Sequence, residues 1–462
     1  MHLLIINWSS VGLKVAQLLL SLSILVVLHE FGHFITAKWF KCRVEKFYLF
    51  FDPWFSLVKK KIGDTTYGIG WLPLGGYVKI AGMVDESMDK EQMNKPPQPW
   101  EFRSKPAWQR LIIMLGGVTV NIILAFIIYA GILFKWGTDK VPNASVKNGI
   151  WVTDSLMYNI GLRNGDKIIS VNGDSVKYFD DGAKKILFSG GGNINVERNG
   201  QPVNVTINRN FIGDLVVKKK SRTPLLVQRV PAIMGEFEAN DTTNAKKAGL
   251  QYWDKIVKVD SVPVTFIDEA VAVFKTKKNG TAMLTVDRKG SLMEMPVHIN
   301  EEGLINPTLL SLKQLDSLGV FKVEHRAYGF FESFPAGVSL AIEKLDEYIQ
   351  QFKLILSPST GAYKGVGGFK AMGSVFSGTK WDWEQFWNIT AFFSIVLAFM
   401  NLLPIPALDG GHVLFTLGEM ITGRKPNEKF LEYAQIVGMV ILLALMLYAN
   451  GNDWFGWGKG KG

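Results

Sequence analysis

Residues Leu111 to Phe134 read LIIMLGGVTVNIILAFIIYAGILF, without one charged side chain. A helix needs about 20 such residues to cross the hydrocarbon core of a bilayer. Once there, its backbone must satisfy itself, because lipid offers no hydrogen bonds. Three more runs have this character: Val11 to Ala37, Phe386 to Leu403 and Ala434 to Ala449. Composition agrees, with 48% hydrophobic and 20% charged residues. That is oily for a soluble chain, yet it leaves room for a sizeable polar region. The expectation is a multi-pass α-helical membrane protein with about four transmembrane helices. The first run is expected to be a retained helix and not a cleaved leader, since it lacks a basic start and its C-terminal part carries His29, Glu30 and His33 in place of a small-residue cleavage site.

Charge placement orients the spans. Lys38, Lys41, Arg43, Lys46, Lys59, Lys60, Lys61, Arg103, Lys105 and Arg110 lie between the first two, and Arg424, Lys425 and Lys429 between the last two. By the positive-inside rule both loops are cytoplasmic, so both termini and the region between spans two and three lie on the other side. This accounts for part of the net charge of +10 without nucleic acid. The remainder is spread through the outer region, as in KKKSR at 218–222, which reads as a solvated loop. Cys42 is the one cysteine, so there is neither a disulfide framework nor a cysteine metal site.

The first span carries HEFGH. An ionisable group inside a membrane helix costs about 2.5–3.5 kcal/mol on insertion scales, and here three fall within five residues. His29 and His33 are four apart and share one helix face, so both can reach one metal ion. Neutral imidazoles suit zinc, and Glu30 is then the base that activates water. A catalytic zinc has three protein ligands and an open position, so a third ligand must come from elsewhere. NLLPIPALDGGH follows the third run, where Pro404 and Pro406 break the helix and Gly410 and Gly411 allow close backbone approach. Asp409, an acid in broken backbone at membrane depth, is the candidate, with His412 expected outside the ligand set.

Between spans two and three lies an internal repeat. GLRNGDKIISVNGDSV begins at Gly161 and GLQYWDKIVKVDSVPV at Gly249, and they align without a gap. ERNGQPVNVTI and DRKGSLMEMPVHI then echo one another as hairpins. Two small domains of like fold follow. The pattern resembles PDZ domains of the bacterial protease form. The second copy departs from it, with Trp253 in place of the Gly before Asp254 and Asp260-Ser261 in place of Asn-Gly. PDZ domains bind extended peptides at a sheet edge, and these two equally fit a shielding role.

Three further stretches stand out. TTYGIGWLPLGGYVKIAG, with Gly68, Gly70, Gly75, Gly76 and Tyr77, reads as a bent β-hairpin. Residues 334–356 have near-helical apolar spacing and read either as a helix lying on the membrane surface or as a packing helix. GVGGFKAMG, Gly365 to Gly373, lacks the features of a phosphate loop and reads as a flexible joint.

HExxH in the first span paired with N-x-x-P-x-P-x-L-D-G-G after the third resembles the site-2 protease family, which consists of intramembrane zinc metalloproteases. With two PDZ-like repeats between spans two and three, the chain looks like the bacterial RseP type over essentially its full length. The resemblance implies one catalytic Zn2+ bound by His29, His33 and Asp409, with Glu30 as general base. It implies that Asn401 helps bind substrate or stabilise the oxyanion, and that the hairpin re-enters the membrane and holds an extended substrate strand. The implied substrates are single-span membrane proteins already trimmed by another protease, either anti-sigma factors or remnant signal peptides. The implied location is the bacterial inner membrane, with the PDZ domains and both termini periplasmic and the active site towards the cytoplasm.

The resulting layout is 1–142 for spans one and two with the hairpin, 143–226 and 227–310 for the PDZ domains, 311–384 for a linker and amphipathic helix, and 385–462 for spans three and four. A PDZ adaptor with a dead site would lack a ligand or Glu30, and none is missing. A metal transporter would line several spans with polar residues, and the second offers only Thr119 and Asn121.

Overall fold

The computed structural model describes residues 8–83, 96–218, 224–237 and 242–458. Of the basic run at 218–222, residues 219–222 lie outside that set. Helix α1 (Trp8–Trp39) leads into two long strands, β1 (Val44–Ile62) and β2 (Thr65–Ile80), and then α2 (Ala107–Trp136). The first repeat follows as β3 (Lys167–Val171), β4 (Asp174–Ser175), α3 (Phe179–Phe188), β5 (Gly192–Arg198) and β6 (Gln201–Ile207). The second is β7 (Lys255–Val259), β8 (Val262–Pro263), α4 (Ile267–Lys275), β9 (Thr281–Arg288) and β10 (Ser291–His298). The chain ends with α5 (Phe330–Leu356), α6 (Trp383–Leu402), α7 (Asp409–Thr422) and α8 (Glu428–Phe455). It divides into two compact units. One comprises Met1–Gly137, Ala327–Lys353 and Lys364–Gly462, and the other Thr138–Arg326 and Leu354–Tyr363.

In the first unit, α1, α2, α6 and α8 are long and apolar enough to cross a membrane, and they contain the four runs read from the sequence. β1 and β2 each bend so that they contribute two segments. Phe47 stands opposite both Tyr67 and Val78, and Tyr67 opposite both Phe47 and Lys60. Segment 66–69 is thus paired on both sides, whereas Gly76–Ile80 pairs, among the described strands, with Val44–Leu49. Helix α5 packs within this unit. Gly337 meets the backbone of Ala130 on α2, Ala341 is buried with Tyr129 and Ile395, and Tyr348 and Phe352 contact the Phe399 ring on α6. Phe331, Phe334 and Ile342 of the same helix stay exposed.

In the second unit the two repeats have the same strand order, β4-β3-β5-β6 and β8-β7-β9-β10. The aligned pairs Leu162/Leu250, Ile168/Ile256, Val171/Val259 and Val176/Val264 are buried in their respective cores. Asp166 and Asp254 are buried too, and each is held by an arginine at the strand end before the hairpin turn. Arg198 donates to Asp166 at 2.7 and 2.8 Å and to the Gly161 carbonyl at 2.7 Å. Arg288 repeats this with Asp254 at 2.7 and 2.6 Å and Gly249 at 2.8 Å. Trp253 adopts φ +71°, the left-handed conformation Gly165 takes in the first copy, so the departures from the motif keep the turn.

Candidate active site

HEFGH lies in the C-terminal half of α1, with His29 and His33 buried. Helix α2 crosses α1 there without an intervening side chain. A Cβ on Gly32 would overlap the Gly116 carbonyl, and one on Gly117 would strike both imidazoles. The rings therefore lie against the α2 backbone. His33 Nδ1–H donates to the Ile113 carbonyl at 2.8 Å, which leaves its Nε2 with a lone pair. The side-chain amide of Asn121 lies 3.1 Å from His29 Nδ1.

Asp409 arrives from the other side. Helix α6 ends at Leu402, Pro404 and Pro406 interrupt the backbone, and Ala407 at φ +84° turns the chain into α7, whose first residue is Asp409. Asp409 Oδ2 lies 3.2 Å from His29 Nε2 and 3.2 Å from His33 Nε2, and the two nitrogens are 3.3 Å apart. Oδ2 is buried with no hydrogen-bond donor. Electron-rich atoms converging this closely repel one another unless a cation sits among them. Ligands placed tetrahedrally at about 2.05 Å from zinc are about 3.3 Å from one another, so spacing and a two-nitrogen, one-oxygen set both fit that ion. Asn401, in the last turn of α6, brings Nδ2 within 3.1 Å of His29 Nε2.

Glu30 opens, with both histidines and Asp409, onto a cavity of about 660 Å³. Its opposite wall is the Gly76–Ile80 edge of β2. Gly76 permits that approach, since a Cβ there would sit 2.7 Å from the Val26 side chain and 3.5 Å from Glu30 Cγ. The Val78 amide is directed at the Glu30 carboxylate. Of the hairpin residues named from the sequence, Gly76 and Tyr77 line the cavity. Gly68 sits in the doubly paired segment against the Tyr48 ring, Gly70 pairs with Ser56 and lies against the Phe51 backbone, and Gly75 packs on the Phe51 ring.

The cavity also contains His412, expected near the site but outside the ligand set, and three residues the sequence reading did not place there: Lys46, Asp52 and Gln435. Tyr77 Oη donates to Asp52 at 2.7 Å and receives Lys46 Nζ at 3.1 Å. Gln435 Oε1 accepts the Ala407 amide at 3.2 Å, pinning the turn before Asp409. His412 lies one helical turn after Asp409, a spacing visible in the sequence. Lys46 and Asp52 gave no local signal.

The pattern of peptidase family M50 matches residues 17–445. The chain belongs to that family. Relatives align with it nearly end to end. A Campylobacter jejuni protein named "Putative zinc metalloprotease Cj1068" is 27% identical over 98% of this chain and 96% of its own length. "Putative zinc metalloprotease RC0203" of Rickettsia conorii is 27% identical over 96% and 98%. "Regulator of sigma E protease" of Haemophilus influenzae is 25% identical over the same shares. Family M50 is the site-2 protease family. With the His29–His33–Asp409 cluster and four apolar helices, the M50 chain is a membrane zinc metalloprotease.

Proposed function

We propose that this M50 peptidase cuts peptide bonds within the transmembrane segments of single-span proteins, using His29, His33 and Asp409 as zinc ligands and Glu30 as general base. The observation that carries the reading is the convergence of these four residues on one cavity framed by membrane-crossing helices. When bound, zinc supplies Lewis-acid polarisation of the scissile carbonyl and acidifies water. Glu30 takes a proton from the attacking water and returns it to the leaving amine. Asn401, beside His29, directs its amide at the developing oxyanion.

A substrate helix hides its peptide bonds in its own hydrogen bonds and must be extended first. The Gly76–Ile80 edge, held on its other side by Val44–Leu49, takes that extended stretch as an added strand next to Glu30. This hairpin is the membrane-re-entrant element. The two repeats, 143–226 and 227–310, are PDZ-type domains that exclude substrates with bulky outer domains, so the enzyme acts after another protease has trimmed its target. Positive charge between the first two and last two spans supports a topology with those loops in the cytoplasm of a bacterium and the repeats in the periplasm. The likeness to a protein named regulator of sigma E protease supports a regulatory role, and the substrates that fit this chemistry are anti-sigma factors or remnant signal peptides.

The test pairs wild type with Glu30→Gln in detergent. Both should carry about one zinc per chain, and only wild type should cleave a tagged single-span reporter inside its span. Zinc-loaded wild type that cuts none of several such reporters, or a Glu30→Gln variant that still cuts, overturns the proposal.

A further inference from the structure

Three positions of α2 face the histidines, spaced four apart and therefore on one face. The Ile113 carbonyl holds His33 Nδ1–H, Gly117 leaves room for both rings, and Asn121 meets His29 Nδ1 at 3.1 Å. Asn121 is completely buried, and Ser394 Oγ of α6 fixes its backbone by donating to its carbonyl at 2.8 Å. A side-chain amide has two orientations that differ in which end faces the ring. With Nδ2 towards His29, the Asn121 Oδ1 is buried without a partner, and His29 Nδ1 is forced to accept. The proton would then sit on Nε2, where Asn401 Nδ2 approaches to 3.1 Å as a donor and His33 Nε2 lies 3.3 Å away. With Oδ1 towards the ring, Nδ1–H donates to Asn121 and Nε2 presents its lone pair to the Asn401 amide and beside Asp409. The buried amide atom without a partner is then Nδ2 in place of Oδ1, so the donor at Nε2 decides between the two orientations.

We propose that Asn121 is the positioning residue for His29, its side-chain carbonyl accepting Nδ1–H so that Nε2 is held as a metal ligand. The chemistry is that of any ligating imidazole whose second nitrogen is tied to an acceptor: tautomer and ring angle are set before the metal arrives. On α2 a backbone carbonyl does this for His33 and a side-chain carbonyl for His29. The inference rests on the zinc reading of the site, and its test separates the two.

The experiment uses the full chain in detergent and measures zinc affinity by chelator competition, together with the visible absorption of the Co2+-substituted protein. Asn121→Asp keeps an acceptor, while Asn121→Leu keeps the volume and removes it. The expected result is a loss of about 10–100-fold in zinc affinity for Asn121→Leu with an altered Co2+ spectrum, and wild-type-like affinity and spectrum for Asn121→Asp. Should Asn121→Leu lose its zinc-free fold by gel filtration, Asn121→Ala takes its place in the same comparison. Wild-type-like affinity in the acceptor-free variant overturns the proposal. So does equal damage in the Asp variant, which would make Asn121 a packing residue. A wild-type protein that binds neither zinc nor Co2+ overturns the site reading beneath it.

Discussion

The repeat unit buries Asp166, Asp254 and Asp268 almost completely and answers each with an arginine: Arg198, Arg288 and Arg229. The span unit buries Asp409 Oδ2 and leaves it without a hydrogen-bond partner. Among the described residues, every buried side-chain polar atom without a hydrogen-bond partner lies in the span unit. Similar burial is treated in opposite ways. In the repeats a carboxylate fastens a turn, and its charge is cancelled on the spot. Beside HEFGH the charge is left for something that arrives later. A fully paired buried acid is a structural device, whereas an unpaired one marks chemistry.

The comparison breaks most visibly at Asp409. Asp409→Asn should reduce cleavage of a single-span reporter to background and empty the zinc site. The zinc-free protein should be as stable as wild type or more so, by up to about 1 kcal/mol, because the new amide can donate to an imidazole Nε2. A clear fall in the thermal midpoint of the zinc-free variant would mean that Asp409 is structural after all. Arg198→Ala should do the reverse. It leaves Asp166 buried and uncompensated, at a cost of about 3 kcal/mol, the low end for a broken buried pair because Arg198 is partly exposed. Hydrogen exchange in β3 and β5 should accelerate while zinc content stays unchanged; loss of zinc would contradict the division.

Much of this was legible in the sequence, for a physical reason. Span length, H-E-x-x-H spacing and the P-x-P-x-L-D-G-G break are local, and each restricts the backbone or the face a side chain occupies. The repeat was legible because buried positions recur in register. The rest depends on partners far along the chain. Asn121 looked like an incidental polar residue in an apolar run, since its meaning lies in a contact with His29. β1 was unread because residues 44–62 mix lysines with aromatics, and their pairing is set by where β2 returns. Gly68 resembled Gly76 in sequence, and only its pairing on both sides separates the two.

Two smaller effects sharpen the contrast inside the repeat unit. Trp253→Gly relieves a left-handed tryptophan at the position Gly165 fills in the first copy. The second repeat should gain about 0.5–1 kcal/mol, after the glycine's own entropy is charged against it. An unchanged or lower midpoint would show that the Tyr252–Trp253 ring contact outweighs the strain. Glu269 gives the smallest shift. Burial acts to raise its pKa, but the Thr265 and Phe266 amides and Arg229 outweigh burial and hold it below the ordinary glutamate value. A depressed folded pKa contributes stability above the unfolded value of about 4.3 and loses it as pH falls through the folded one. The midpoint of the second repeat should therefore decline on acidification below that value, and Glu269→Gln should flatten the decline. An identical profile in the variant would assign it elsewhere.

The glycine crossing of α1 and α2 has one more consequence. Where Gly32 meets Gly116 and Gly117, backbone touches backbone, so there is no side chain that could swing aside like a door. Among the described residues, Met114 is the one from α2 on the cavity wall. The crossing works as a fixed hinge-post. Traffic to and from Glu30 must use the opposite side, framed by the Gly76–Ile80 edge and the turn from Ala407 to His412.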